Sequence, residues 1–107
     1  MTTFEEFQAT AVKVPLSLRN DRDRIRMPLL GLHEEAGKIG LLLAPASDSG
    51  KIALKPKQDA ELRDRLSNVL WYVALLCGEA GVAMQDVAEH GVALLKKRRE
   101  ELDSERR

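Results

Sequence analysis

The sequence is poor in the features that mark several classes of protein. Its 107 residues include one cysteine and four aromatic side chains, and 17 basic and 17 acidic residues give a formal net charge of zero. Balanced charge gives no overall attraction to nucleic acid or to an anionic membrane. The apolar runs are shorter than the roughly 20 residues that span a bilayer, and the opening MTTFEEFQAT lacks a signal-peptide pattern. We therefore expect one cytoplasmic domain over residues 1–107, with no nucleic-acid or membrane partner.

Strand patterns are also missing, because neither alternation nor clusters of β-branched residues occur. The apolar spacing and the capping signals instead predict four helices, over Thr3 to about Val14 before Pro15, from Pro28 to about Leu43, from about Gln58 to Glu79, and from near Met84 into a charged tail at about residues 99–107. Pro45 to Gly50 predict a turn, and Pro56 closes the linker after it. The predicted fold class is all-α, a small four-helix bundle.

Each predicted helix has one narrow apolar stripe. The stripes are Leu29, Leu32, Ala36, Ile39 and Leu43 in the second helix, Leu62, Leu66, Val69, Val73 and Leu76 in the third, and Val87, Val92 and Leu95 in the fourth. Cys77 lies in the apolar third helix and is typical of a small buried side chain. Such thin stripes, together with the long run VLWYVALLC, predict an obligate homodimer in which the third helix contributes to the interface.

Polar side chains collect beside the stripes of the second and third helices. Glu34, Glu35 and Lys38 flank one stripe, and Glu61, Asp64, Arg65, Asn68 and Tyr72 flank the other. Facing carboxylates in a bundle can hold Mg²⁺ through oxygen ligands. Acids on helices are more often solvated, and Glu34 with Lys38 has the spacing of an ordinary i,i+4 ion pair. Spacing alone favours the solvated interpretation.

Four segments, in order, resemble the MazG-like nucleoside triphosphate pyrophosphohydrolases. They are TFEEFQATAV, LLGLHEEAGK, ELRDRLSNVLWYVALLCGEAGVAMQDVAEH and KKR, and they cover most of the chain. The resemblance implies an all-α NTP pyrophosphatase fold that forms dimers or dimers of dimers. It also implies a hydrolase that converts a nucleoside triphosphate into a monophosphate and pyrophosphate. Mg²⁺ would be held there by E-x-x-E on one helix and E-x-x-D on the next.

Three of the four ligand positions that the resemblance implies are substituted here. Glu35 fills the first, whereas the others fall on Lys38, Arg65 and Asn68, and two family positions in the last helix fall on Gly91 and Leu94. Ammonium and guanidinium groups cannot coordinate a hard cation. We therefore expect weak or absent Mg²⁺ binding at the usual place.

A displaced metal site is the alternative. Glu61 and Asp64 form an E-x-x-D one turn upstream, so Glu35, Glu61 and Asp64 are the candidate metal ligands, with Glu34 and Glu35 as the candidate catalytic acids. Mg²⁺ requires near-octahedral geometry, which a shift of about 5 Å would disturb.

Three functions follow. The first is a hydrolase with reduced or displaced metal binding. The second is an inactive relative that binds a nucleotide through its candidate contacts Lys38, Arg65, Tyr72 and Arg98. The third is a helical dimerisation module without a small ligand, which an ion pair between Glu35 and Lys38 or Arg65 would favour.

Overall fold

The computed structural model describes residues 1–14 and 16–106, and within these ranges the chain is helical with no strand. The helices are α1 (Phe4–Ala11), α2 (Asp23–Ser49), α3 (Pro56–Glu79) and α4 (Met84–Glu105). The all-α class and the number of helices are thereby confirmed. The stop predicted at Pro15 lies outside the described residues.

The short helix α1 begins where its capping residue predicts. The Thr3 hydroxyl accepts a hydrogen bond from the backbone N–H of Glu6 at 3.1 Å, which satisfies one of the free amides of the first turn. The helix ends at Ala11, earlier than the predicted Val14, because the N–H groups of Lys13 and Val14 bond three residues back, to Thr10 and Ala11. The last turn is therefore tightened instead of continuing as α-helix.

Helix α2 is longer than predicted at both ends, and Pro28 and Pro45 lie inside it. Asp23 accepts a hydrogen bond from the Arg19 N–H at 2.9 Å, which ties the preceding turn to the start of the helix. A proline inside a helix removes one backbone bond. Pro28 is fully buried, so its ring contributes packing. Pro45 removes the backbone bond to the Leu41 carbonyl, and Leu41 is 80 % exposed to water. The predicted start at Pro28 and the predicted turn from Pro45 are therefore wrong.

Glycines follow the ends of both α2 and α3, but only the end of α3 before Gly81 lies where the sequence predicts it. Gly50 has φ of 73° and donates its N–H to the Ala46 carbonyl at 2.8 Å, and Gly81 has φ of 70°. Such left-handed backbone favours glycine. Helix α3 starts two residues before the prediction, because Pro56 suits its first position. Helix α4 starts at Met84 as predicted but continues to Glu105, so the segment expected as a tail is helical as far as it is described.

The small core lies where α1, α3 and α4 meet. Ala11, Ala74 and Met84 are buried there, with Phe7, Trp71, Val73 and Cys77 packed against them. Cys77 is half-buried, less buried than its apolar setting predicts. Trp71 also donates its indole N–H to the Ala11 carbonyl at 3.3 Å. This bond anchors α1 on α3.

Helices α2 and α3 form the largest contact between helices. The face of α2 that packs against α3 is not the one that its apolar stripe predicts. Leu29 and Ala36 of the predicted stripe are exposed, whereas Gly31 and Glu35 are buried. In α3, the predicted core residue Leu66 is 48 % exposed. The face of α2 that packs is therefore displaced by about one residue from the expected one.

Gly31 allows the two helices to approach. A Cβ at this position would lie 2.4–2.7 Å from atoms of the Tyr72 ring, closer than non-bonded carbon atoms can pack. Tyr72 in turn stacks on Trp71 with ring centroids 5.1 Å apart. The aromatic pair of α3 therefore connects the α1 contact to the α2 contact.

The chain exposes more surface than a compact protein of its size. Its accessible area is 8634 Å² and its radius of gyration 17.0 Å, against about 6,000 Å² and about 13 Å for a compact monomer of this length. Among the described residues, nineteen large apolar side chains are exposed, including Leu30, Leu66, Leu70 and Leu95. The single chain therefore leaves much of its apolar surface uncovered.

Within the two described ranges, no single helix has both the length and the apolar character to cross a membrane. Only α3 and α4 taken together, across a bend of 107°, meet those two criteria.

We expect Gly31→Ala to destabilise the protein. The added methyl group must displace the Tyr72 ring, and overpacking of this kind costs about 1–3 kcal/mol. Thermal unfolding at fixed protein concentration measures the change. Gly37→Ala is the matched control in the same helix, since a Cβ there meets nothing within 4 Å and should stabilise by up to about 1 kcal/mol. Equal melting temperatures for the two variants would contradict this account of Gly31.

Candidate functional site

A buried carboxylate lies between α2 and α3. Glu35 is 6 % exposed, and the Arg65 guanidinium donates to its two oxygens at 3.3 and 3.4 Å. The Asn68 amide donates to the same carboxylate at 3.3 Å. We call Glu35, Arg65 and Asn68 the Glu35 cluster. A buried carboxylate requires such donors, because without them its charge would be costly to remove from water.

The antiparallel packing of α2 and α3 brings the cluster together. Glu35 follows Gly31 by about one helical turn, and Asn68 precedes Tyr72 by the same distance. The Gly31–Tyr72 contact and the Glu35–Asn68 hydrogen bond are therefore successive contacts along one interface. The close approach at Gly31 positions the polar contact one turn away.

Two further ion pairs lie at the rim of the cluster. Lys38 binds Glu34 at 2.8 Å, and the second guanidinium nitrogen of Arg65 lies 3.7 Å from Glu61. The hydrogen bond from Lys38 and its positive charge, with a smaller contribution from Arg65, lower the pKa of Glu34 below its usual value. Both cations that replace predicted metal ligands are thus paired with carboxylates.

The Mg²⁺ site that the resemblance implies does not fit the residues present. A guanidinium and an amide nitrogen donate to the one remaining family carboxylate, Glu35, and neither group can coordinate a metal through those atoms. Throughout residues 1–14 and 16–106, no three acidic, histidine or cysteine side chains converge in a way that could hold a metal ion.

The carboxylates predicted for the displaced metal site are paired with cations or exposed. Glu35 and Glu61 both pair with the Arg65 guanidinium. Asp64 is exposed, and Glu34 is engaged with Lys38. In the part of the chain that the structure describes, these four carboxylates do not converge into one ligand set.

Three of the four predicted nucleotide contacts lie together, and one does not. Lys38, Arg65 and Tyr72 lie along the α2–α3 interface. Arg98 is exposed in the second half of α4, a helix that does not contact α2. No described contact between helices brings Arg98 to the Glu35 cluster. Tyr72 packs its ring over Gly31, which limits the face it could offer to a base.

Gly31 is the residue at this site that sequence reasoning missed. A glycine inside a helix is unfavourable by about 1 kcal/mol relative to alanine, which makes Gly31 a candidate for close packing. The same helix also contains Gly37 and Gly40, where a Cβ would meet nothing within 4 Å, so the sequence does not single out Gly31 as the close contact.

We expect Arg65→Met to destabilise the fold because it leaves the buried Glu35 carboxylate with Asn68 as its remaining donor. The cost should be about 2–3 kcal/mol, below the usual range for a broken buried pair, because the Arg65 side chain is 27 % exposed. Urea unfolding at one protein concentration measures it. Arg63→Met is the matched control, since Arg63 forms a 2.9 Å pair with Asp59 but is 78 % exposed, and should cost at most about 1 kcal/mol. Indistinguishable midpoints for the two variants would overturn this role of the cluster.

Comparisons of the chain with protein-family models, with curated proteins and with solved structures gave no match.

Proposed function

We propose that this protein is a MazG-like helical module that forms homodimers and no longer hydrolyses nucleoside triphosphates. The observation that carries this proposal is the Glu35 cluster, in which the Arg65 guanidinium binds the carboxylate that would otherwise coordinate Mg²⁺. The positive charge needed beside Glu35 is supplied by the protein itself. Lys38 likewise provides the positive charge beside Glu34.

The charge balance also disfavours a nucleotide as the natural ligand. Three carboxylates (Glu34, Glu35 and Glu61) surround two cations, and each cation already has a partner. Phosphate requires unpaired positive charge or a metal, and here it would have to displace a carboxylate first. The geometry therefore favours a structural role for these charges. The Arg65–Glu35 pair joins α3 to α2, whereas the Lys38–Glu34 and Arg65–Glu61 pairs each lie within one helix.

The exposed apolar surface supports self-association. The area beyond that of a compact monomer is about 2,700 Å², whereas a stable interface needs about 800 Å² from each partner. Leu66 and Leu70 of α3 are 48 % and 39 % exposed and lie one turn apart. This supports the expectation that α3 contributes to a dimer interface.

We expect the protein to be a stable dimer at micromolar concentration. Light scattering should give twice the mass of one chain, and replacing Leu66 and Leu70 by serine should lower that mass without loss of helix content. Ser67→Ala is the control, because it changes an exposed small residue between the two leucines. A folded wild-type monomer at this concentration would contradict the proposed dimer.

We expect the wild-type protein to release no more pyrophosphate from a panel of nucleoside triphosphates with Mg²⁺ than a control without enzyme. The triple variant Lys38→Glu, Arg65→Glu and Asn68→Asp rebuilds the ligand pattern beside Glu35. It should gain Mg²⁺ affinity by calorimetry, because carboxylate oxygens replace cationic donors.

A control separates the site from the added charge. Lys57→Glu, Arg63→Glu and Ser67→Asp make the same total change at exposed positions of α3 and should gain little affinity. Metal-dependent pyrophosphate release by the wild-type chain would overturn the proposed loss of activity.

Nucleotide binding without hydrolysis is the second candidate, and one observation favours it. The side chains of Lys38 and Arg65 stay 41 % and 27 % exposed on facing helices, so both could turn toward a phosphate at the same rim. Calorimetry with a nucleoside triphosphate in the absence of metal distinguishes the two candidates. Binding that the triple variant abolishes would support this one, since three added acids repel phosphate.

A further inference from the structure

The second half of α4 is exposed. Every residue from Val92 to Arg106 is exposed, whereas Met84 is buried and Ala88 and Gly91 are partly buried. Helix α4 follows α3 at a bend of 107° and, within the described ranges, does not contact α2. We call residues 92–105 the distal half of α4.

The face that seats the first half of α4 continues along the distal half. At about 100° per residue, Met84, Ala88, Gly91, Leu95 and Leu102 lie within about 60° of one another. Leu95 and Leu102 are 61 % and 52 % exposed. Beyond Gly91 the apolar stripe is therefore left uncovered by the residues that the structure describes.

The charges of the distal half change sign along the helix. Residues 96–99 read KKRR, and residues 100–105 read EELDSE. Acids in the last turns of a helix are unfavourable, because the C-terminal end of the helix dipole is negative. Arg99 reaches Asp103 at 3.4 Å within the helix, but Lys96, Arg98 and Glu101 form no ion pair among the described residues.

We infer that the distal half of α4 pairs in antiparallel orientation with the distal half of α4 from a second copy of this chain. The inference rests on the proposed homodimer and names the surface that completes it. An antiparallel helix of the same sequence places its basic segment beside the acidic segment of the first helix, and its acidic segment beside the basic segment of the first helix. No other orientation of a second copy matches the charges in both directions.

The arrangement has a defined register. A twofold axis near residues 99 and 100 places each side of the apolar stripe on one helix beside the same side of the stripe on the other helix. On one side of the stripe, Lys96 then lies level with Asp103 of the second copy. On the other side, Arg98 lies level with Glu101 of the second copy. Leu95 and Leu102 of the two copies come within one helical turn of each other and cover the apolar stripe. This contact alone is smaller than a stable interface, so it adds to the α3 surface.

Charge reversal with complementation tests the pairing. Variant A carries Lys96→Glu and Arg98→Glu, and variant B carries Glu101→Lys and Asp103→Lys. In each variant alone, like charges face each other across the axis, and we expect dimer dissociation constants at least tenfold higher than that of the wild type in sedimentation experiments. An equimolar mixture of A and B should form mixed dimers at close to wild-type affinity, because all four contacts are then between opposite charges.

The mixture separates the pairing from damage to the helix itself, since mixing changes no contact within a chain. Lys97→Glu with Glu100→Lys is the matched control, because both residues lie on the side of α4 away from Leu95 and should leave the dissociation constant unchanged. A wild-type dimer that A and B do not weaken, or an A and B mixture that forms no mixed dimer, would overturn the pairing while leaving the homodimer intact. A monomeric wild type would overturn the homodimer itself.

Discussion

The burial of the Glu35 carboxylate is the constraint on which the α2–α3 pair depends. An ionised group that is 6 % exposed must be matched by donors from the neighbouring helix. Arg65 and Asn68 provide three hydrogen bonds to it, and these bonds form only in one register of the two helices. A shift of α3 by one turn would separate the charges and move the Tyr72 ring off Gly31. The polar contact and the close approach therefore specify the same arrangement.

The same constraint explains how a helix pair can keep its geometry without a metal ion. Carboxylates that face each other across an interface repel, and a bundle that buries them needs positive charge between them. A divalent ion supplies that charge in carboxylate-bridged bundles. In this chain a guanidinium reaches both Glu35 and Glu61, so the interface has an internal counter-charge. Under the proposed function, stability of the helix pair no longer depends on a bound ion.

The sequence predicts most of the fold, and the failures have physical causes. Thr3, Gly81 and Met84 mark helix boundaries where the structure has them, because capping and left-handed backbone depend on local residue types. Local rules predict boundaries at the two prolines of α2, yet Pro28 is buried, and the residue whose carbonyl loses its bond at Pro45, Leu41, is exposed. Rules based on local sequence account for the hydrogen bond that a proline removes, but not for the packing or solvation that offsets its loss.

Local sequence rules also do not predict which face of α2 packs against α3 or what covers the distal half of α4, and the reason is a different one. An apolar stripe identifies buried positions only when burial follows hydrophobicity, and α2 buries a glycine and an acid because the opposite helix offers a tyrosine and an arginine. The roles of Gly31 and Glu35 thus depend on residues thirty or more positions away. The distal half of α4 extends the argument to a second chain. Its leucines are exposed, and of its charged side chains Arg99 and Asp103 alone form an ion pair among the described residues. Under the proposed pairing, the surface that covers this segment is the same helix of a second copy.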